Sequence, residues 1–526
     1  MPPSEPPPLS QIPPASAPPP GVRHLIAVAG CRGGVGASVV AVNLAVYLAQ
    51  LGRSVLLVDA SPTGATLHTM LDVPLPDPLR DEIAGEVDEF HVVPTPVPGL
   101  RLLPQVYGFE STAPLRPGRK PRWARNLRQQ DVDYVLLDLG SGTQPTTLDL
   151  FSSADIGMLV CAPEPPAVEG AYRFCRALFQ RRLRRLLHQD RFHLRFLERA
   201  LLGMAPLPSP PDLVRALGRF ETGLGETAAR ELSRMRPLLV TNSARSRADT
   251  ELGLAMRDMG ERYLGVHFDY TGHIERDDTV WLSVVRRRPL LIDNPTSKSA
   301  RNIERIARRV LGLAALKPEP VPTTLPLLQP EPTLYDILLT HRSAADEELR
   351  RAHKRLRDIY TEGSLPLTSL VKPAELPRAQ ALIDEAQDTL LDPLRRRAYD
   401  LSTFPDDQTA PQSQRGAHDA TLEAERALLR EELSRELNPE SVFTGALLRK
   451  VRESQGVELQ DIVARTKISR SHLAAIEEES FAELPAFVYL RGFVTELAKY
   501  LKLDSTQVTR TYLKRYREWK NQHPST

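Results

Sequence analysis

Cys31-Arg32-Gly33-Gly34-Val35-Gly36-Ala37-Ser38 is the stretch that decides the fold. It follows a short apolar run at residues 25–29 and opens an apolar, helix-like segment at residues 39–51. A strand, a glycine-rich turn and a helix N-terminus in succession aim backbone N–H groups at a phosphate chain. The working pattern carries a Lys just before the Ser or Thr, reaching the outer phosphates. Ala37 stands at that position. The scaffold of a nucleotide switch is therefore present, and one cation of its chemistry is missing.

Outward from the loop, short buried-strand signals recur at residues 25–29, 54–59, 100–104, 134–138, 157–162, 237–242 and 263–268, with helix-like segments between several of them. Alternation of this kind predicts an α/β domain with a mostly parallel sheet across residues 22–313. Pro-rich breaks divide the remainder. Residues 1–21 form a Pro-rich tail, expected to be disordered, and residues 314–332 a Pro-rich linker. Residues 333–404 are helical in pattern, 405–437 combine a polar linker with a charged helix, and 438–526 form a compact helical block. The fold expected is thus an α/β domain followed by two small all-α domains.

Composition narrows the class. The 526 residues, 25% charged and 41% hydrophobic, suffice for three or four domains. A net charge of +2 supplies no global field toward nucleic acid, so any such binding needs a local patch. Three cysteines (Cys31, Cys161, Cys175) in no paired spacing fit a reducing cytoplasm and argue against structural zinc. The tail lacks the basic and apolar regions of a secretory signal, and no membrane span is expected.

Further motifs carry a resemblance. Residues 32–38, Asn43-Leu44-Ala45 and the run ending at Asp59 resemble the deviant-P-loop ATPases of the MinD/ParA type. Residues 133–142, around Asp138, resemble that family's second switch, and Asn242 with Arg245 its adenine-reading segment. Residues 263–265 and 286–290 are similar to the FlhG branch, which numbers and places flagella. The resemblance implies a nucleotide site drawn from Arg32, Gly33, Gly34, Val35, Gly36, Ala37, Ser38, Asp59, Asp138, Asn242 and Arg245. It implies Ser38, Asp59 and Asp138 as magnesium partners if ATP and Mg are bound, and dimerisation across the site.

Three departures from the family pattern weaken its chemistry. Arg32 replaces the signature Lys that crosses to a partner's phosphates, and a planar guanidinium is not an equivalent group. Ala37 removes the loop cation. Ser61 occupies the place of the second switch Asp and offers no carboxylate to orient water. The domain, an ATPase by resemblance, is therefore expected to be a pseudo-ATPase: no catalytic residue, hydrolysis lost, ATP/Mg not required.

The interval near residues 180–236 is longer than a strand–helix–strand step needs, and Arg181-Arg182-Leu183-Arg184-Arg185 makes part of it basic. A solvated helix with its leucines facing the core accounts for this, while phosphates, acidic lipid or an acidic partner would suit it too. Residues 334–338, 346–360 and 385–400 resemble a DnaJ-type J domain, with Asp392-Pro393 and Arg397-Ala398-Tyr399-Asp400 the specific part. Residues 361–369 lack the His-Pro-Asp triplet by which a J domain engages its chaperone. His341 and His353 are expected at the surface.

At the C-terminus, helices at residues 443–455, 457–464 and 470–477, with Ser469 capping the third, read as a helix-turn-helix. Residues 441–516 resemble the Xre-like domain of RodZ, which docks on an actin-like filament; that resemblance implies a protein partner. The candidate DNA or partner surface is Arg449, Lys450, Arg452, Lys467, Arg470, His472, Tyr489, Arg491 and Phe493. Glu477-Glu478-Glu479 ends the third helix and counts against phosphate contact. Taken together, the chain is expected to be a bacterial cytoplasmic scaffold or spatial regulator with a cytoskeletal, polar or flagellar protein partner. A DNA-binding regulator and an active ATP switch are the alternatives.

Overall fold

The central strands of the first domain are continuous runs of Val, Leu, Ile and Ala, the signature of parallel strands covered on both faces. In the computed structural model, which describes residues 24–62, 66–74, 92–104, 127–315, 332–404, 433, 441–485 and 487–522, these runs form the middle of one sheet. The tail at 1–21, nearly all of the linker at 314–332, and 405–437 apart from Leu433 lie outside the described residues. The strands are β1 His24–Gly30, β2 Val55–Asp59, β3 Val93–Pro94, β4 Leu100–Leu103, β5 Tyr134–Ser141, β6 Ile156–Cys161, β7 Leu238–Ala244 and β8 Asp269–Glu275. Their spatial order is β3-β4-β2-β5-β1-β6-β7-β8. Every neighbouring pair is parallel except β3–β4.

The expected strand at 263–268 is not one. Those residues are the end of a helix and its exit turn, and the strand is β8, six residues later. Gly265 takes the left-handed conformation, φ 60°, and stops the helix there. As an edge strand, Asp-Tyr-Thr-Gly-His-Ile-Glu buries only part of its side chains, so it lacks an apolar run to announce it.

Helices α1 Ala37–Gln50, α2 Leu67–Met70, α3 Pro145–Ser153 and α4 Pro165–Leu186 follow the first strands. The long interval before β7 holds three more, α5 Arg191–Leu202, α6 Pro210–Phe220 and α7 Thr222–Ser233. Next come α8 Arg247–Leu264, α9 Asp278–Val285, α10 Leu290–Asp293 and α11 Lys298–Ala315. α8 starts on a reciprocal cap between Ser246 and Asp249. The basic run at the end of α4 is partly spent on structure. Arg181 donates to both oxygens of Asp149 at 2.7 and 2.6 Å, and Arg182 donates to Glu231 at 2.6 Å, while Arg184 and Arg185 are exposed.

The chain divides into two compact units, residues 1–304 with 321–403, and residues 305–320 with 404–526. Within the first unit, α12 Leu334–Leu338, α13 Asp346–Ile359, α14 Leu376–Leu391 and α15 Pro393–Thr403 form a small helical region. Leu349, Leu356, Ile383 and Leu390 are its core. Asp392 caps α15 through the N–H groups of Leu394 and Arg395. Arg396 donates to the carbonyls of Arg342 and Ala344, and the Tyr335 hydroxyl donates to Asp400 at 2.8 Å. His353 is no ordinary surface residue: it bonds Asp384 at 2.8 Å and ties α13 to α14.

The second unit packs α16 Gly445–Ser454, α17 Leu459–Thr466, α18 Arg470–Glu478, α19 Phe487–Tyr500 and α20 Ser505–Gln522 around Leu448, Ile462, Leu473, Ile476, Leu490, Leu497 and Tyr512. Each fully buried Leu or Ile there contributes about 1.5–3 kcal/mol. Among the described residues, no helix is long and apolar enough to cross a membrane.

Candidate phosphate site and helix-turn-helix surface

Parallel sheets bind ligands at the carboxyl ends of their strands. β1 delivers the glycine loop to that edge, β2 delivers Asp59, and β5 delivers Asp138, which pairs in register with Asp59. The loop enters α1 through Gly36, whose φ of 87° is left-handed. A β-carbon at Gly36 would lie 2.3 Å from Asn242 Nδ2. That nitrogen donates to the Val35 carbonyl at 2.7 Å. Asn242, which the resemblance implied for adenine recognition, here braces the loop. Its neighbour Ser243 holds φ 62° where the β7–β8 register shifts, a bulge that re-aims the end of β7.

Asp59 accepts N–H bonds from Thr66 at 2.8 Å and Leu67 at 3.1 Å, so its carboxylate caps α2. Burial pushes its pKa up, and those backbone donors oppose the shift. Asp138 is fully buried, and burial raises its pKa to about 6 against the opposing hydrogen bonds of Ser38 and the Gly140 N–H. Nearby Asp59 adds a smaller upward push. Among the described residues, Asp138 Oδ2 has no hydrogen-bond partner. A buried, unpaired carboxylate oxygen beside a serine hydroxyl and a second carboxylate fits a hydrated magnesium ion, which takes one or two carboxylates and leaves its other positions to water and phosphate oxygens. Ser38, Asp138 and Asp59 would hold it, and bound there it would neutralise phosphate charge.

The cationic side of the site differs. Ala37 is buried at the start of α1 and supplies no charge. Arg32 donates to Glu164 of its own chain at 2.7 Å, with both side chains nearly half exposed. Ser61 is buried against Gly140, where a β-carbon would come within 2.3 Å of its hydroxyl. Arg245 lies exposed just beyond β7, at the start of α8.

The three cysteines showed no pairing in sequence, yet they converge behind the loop. All are free and buried, and the Cys31 thiol bonds Cys161, with burial adding to a strong upward shift of its pKa. The β1–β6 register brings this about, since Gly30 lies opposite Val160 and the next residues are Cys31 and Cys161.

Residues 21–182 match the ParA family, described as NUBPL iron-transfer P-loop NTPase, and residues 447–508 match a helix-turn-helix domain family. Residues 21–182 of the α/β domain are thus similar to ParA-family P-loop NTPases. The chain is 26% identical over 289 residues to the antiactivator FleN of Pseudomonas aeruginosa, covering 55% of this chain and 86% of that protein. It is 35% identical over 145 residues to the chromosome-partitioning ATPase Soj of Thermus thermophilus, covering 28% of this chain and 57% of Soj. It is 32% identical over 157 residues to the iron-sulfur cluster carrier protein of Bacillus subtilis, covering 28% of this chain and 42% of that protein. The matches thus span about half the length of these last two relatives. Among solved structures, the septum site-determining protein MinD of Pyrococcus horikoshii, complexed with Mg-ADP, is similar at 19% identity and a TM-score of 0.35 over 56% of this chain and 98% of that one.

Beside the ParA-like domain, the helix-turn-helix has its own chemistry. α17 ends on Lys467, left-handed at φ 61°, and Ser469 caps α18 by accepting the His472 N–H. Lys467, Arg470, Tyr489 and Arg491 are exposed. His472 and Phe493 are half-buried against each other, ring centroids 5.4 Å apart. Two expected surface cations are committed inside the unit. Arg449 donates to Glu453 at 2.9 Å, and Lys450 beside it is half-buried. Arg452 is buried, donating to both Glu477 oxygens and to the Val457 carbonyl, so it does not belong to the surface. The acidic end of α18 needs the same correction. Glu477 pairs with Arg452, and Glu479 accepts from Arg515 and from the Gly445 N–H. Of the three, only Glu478 is exposed.

Proposed function

We propose that the chain is a bacterial regulator that acts by holding partners, with a ParA-like domain that has lost turnover. The carrying observation is the unequal fate of the two halves of the phosphate site. Ser38, Asp59 and Asp138, the side that would hold a metal, are kept, while Ala37 and Ser61 stand where the family pattern has the loop cation and the water-orienting carboxylate. Removing a cation from a site that must neutralise transferring phosphate withdraws the main source of transition-state stabilisation. Arg32 pairs with Glu164 of its own chain rather than pointing a charge at the place left by Ala37.

FleN is an antiactivator, and its match over 86% of its length supports a spatial or regulatory role exerted through a protein partner. Polar, flagellar or cytoskeletal placement in the cytoplasm, a homodimer, and a J-like helical spacer are parts of this proposal. Purified chain and its Ala37→Lys variant, titrated with Mg-ATP and assayed for phosphate release, test it. Tighter binding by Ala37→Lys with no release from the wild type is expected. Steady release by the wild type that disappears in Asp138→Ala would restore the active switch.

DNA binding is a second reading, and the inward pairing of Glu477 and Glu479 favours it by removing two of three charges that would oppose phosphate. Lys467 and Arg470 at the start of α18 suit a groove. DNA affinity should then fall steeply with salt. Absence of binding at low salt rejects this reading.

A further inference from the structure

The segment joining α13 to α14 is a docking element within the first unit. Its short helical turn, Leu365–Leu367, presents the Pro366 carbonyl to the Tyr172 hydroxyl of α4 at 2.7 Å. Tyr172 is fully buried. At the end of α13, the Tyr360 hydroxyl meets the Tyr263 hydroxyl of α8 at 2.7 Å. Arg262 donates to the Ile337 carbonyl at 3.0 Å and lies 5.4 Å over the Tyr360 ring. Arg355 of α13 lies 3.3 Å from the buried carboxylate of Asp258. Tyr172 and Asp258 are buried while Arg355 and Tyr263 are partly exposed, and all of these contacts form only when the segment is seated, which makes docking a two-state event.

The same helix that receives Pro366 touches the phosphate loop. Gly170, two residues before Tyr172, sits so close to the loop that a β-carbon there would lie 2.1 Å from the Cys31 carbonyl oxygen. One stiff helix therefore carries the first loop residue on one contact and the docked helical region on the next. We propose that docking of residues 332–404 and the conformation of the phosphate loop are coupled through α4, with Gly170 and Tyr172 as the two contacts. Coupling of this kind is reciprocal, so loosening either end loosens the other. It deepens the proposed regulatory function but rests on no bound nucleotide, so the two fail separately.

Hydrogen exchange on the full chain tests it. Tyr172→Phe combined with Arg355→Ala removes two docking contacts and keeps the buried ring. Exchange at residues 365–371 should rise at least tenfold and at residues 33–38 at least threefold, while β5 and β6 stay protected and report an intact fold. A second pair, Arg262→Ala with Tyr263→Phe, should act alike from the α8 side. Gly170→Ala, perturbing the loop side, should loosen residues 365–371. Loosening of 365–371 with unchanged exchange at 33–38 overturns the coupling. Failure of both pairs to loosen 365–371 overturns the docking role of these contacts.

Discussion

The Arg452 guanidinium donates to both carboxylate oxygens of Glu477, at 2.6 and 2.9 Å, inside the helix-turn-helix unit. Both side chains are nearly inaccessible. Breaking such a pair strands a buried charge, at a cost of about 3–5 kcal/mol. Arg452→Ala or Glu477→Ala should lower stability by that order in chemical denaturation of the full chain, on the transition assigned to this unit. Arg452→Met with Glu477→Leu should cost far less than either single change, because no charge remains unpaired. A single variant as stable as the wild type would refute the pair's structural role.

Asp138 makes the phosphate site sensitive to pH. Its pKa is raised to about 6 from an ordinary value of 3.8. A raised folded-state pKa contributes stability that is full below about pH 4 and lost as pH rises through about 6. The loss amounts to about 3 kcal/mol at most. Asp138→Asn has no charge to bury, so it should be more stable than the wild type at pH 7.5 and nearly equal at pH 4. Melting midpoints across that range provide the measurement. Millimolar magnesium should raise the wild-type midpoint at pH 7.5, by pairing the carboxylate, and leave Asp138→Asn unmoved.

Much of this site is legible in sequence because its chemistry is local. The glycine loop announces itself over eight consecutive residues, and Asp59 and Asp138 end apolar runs that could only be buried strands. The bond from Asn242 to Val35 spans 207 residues, and no periodicity encodes it. The inward pairing of Glu477 was hidden for the same reason: a charge run reads as a solvated face until its partner, 25 residues away, is brought against it. β8 is not legible as a strand because an edge strand need not be apolar. Convergence of Cys31 and Cys161 follows from strand register, which a single chain's composition does not contain.

His267 lies 3.5 Å from Asp269 and 3.4 Å from Glu261, and its ring N–H groups donating to these two carboxylates raise its pKa to about 9, with burial opposing. The shift is upward from 6.5, so the stability it contributes is complete below about pH 6.5 and lost as pH rises through about 9. The side chain is 41% exposed, which screens the pair and limits the effect to about 1 kcal/mol or less. His267→Gln should flatten the stability profile between pH 7 and 9.5 relative to the wild type. A variant that keeps the wild-type slope would reassign it to other groups.

Gly36 and Asn242 should fail additivity. Gly36→Ala forces a β-carbon into a left-handed conformation and toward Asn242 Nδ2. The backbone strain alone costs about 1–3 kcal/mol, and the contact adds to it. Asn242→Ala loses one neutral hydrogen bond to the Val35 carbonyl, about 1 kcal/mol. In the double variant the space left by Asn242 admits the new methyl, and the bond lost is counted once. The double should therefore cost less than the sum of the singles by about 0.5–2 kcal/mol, as residues in contact do. Strict additivity in denaturant titrations would mean that Asn242 does not bear on the loop at Gly36. Stabilisation of the wild type by inorganic phosphate, reduced in both single variants, would place that brace in the service of anion binding.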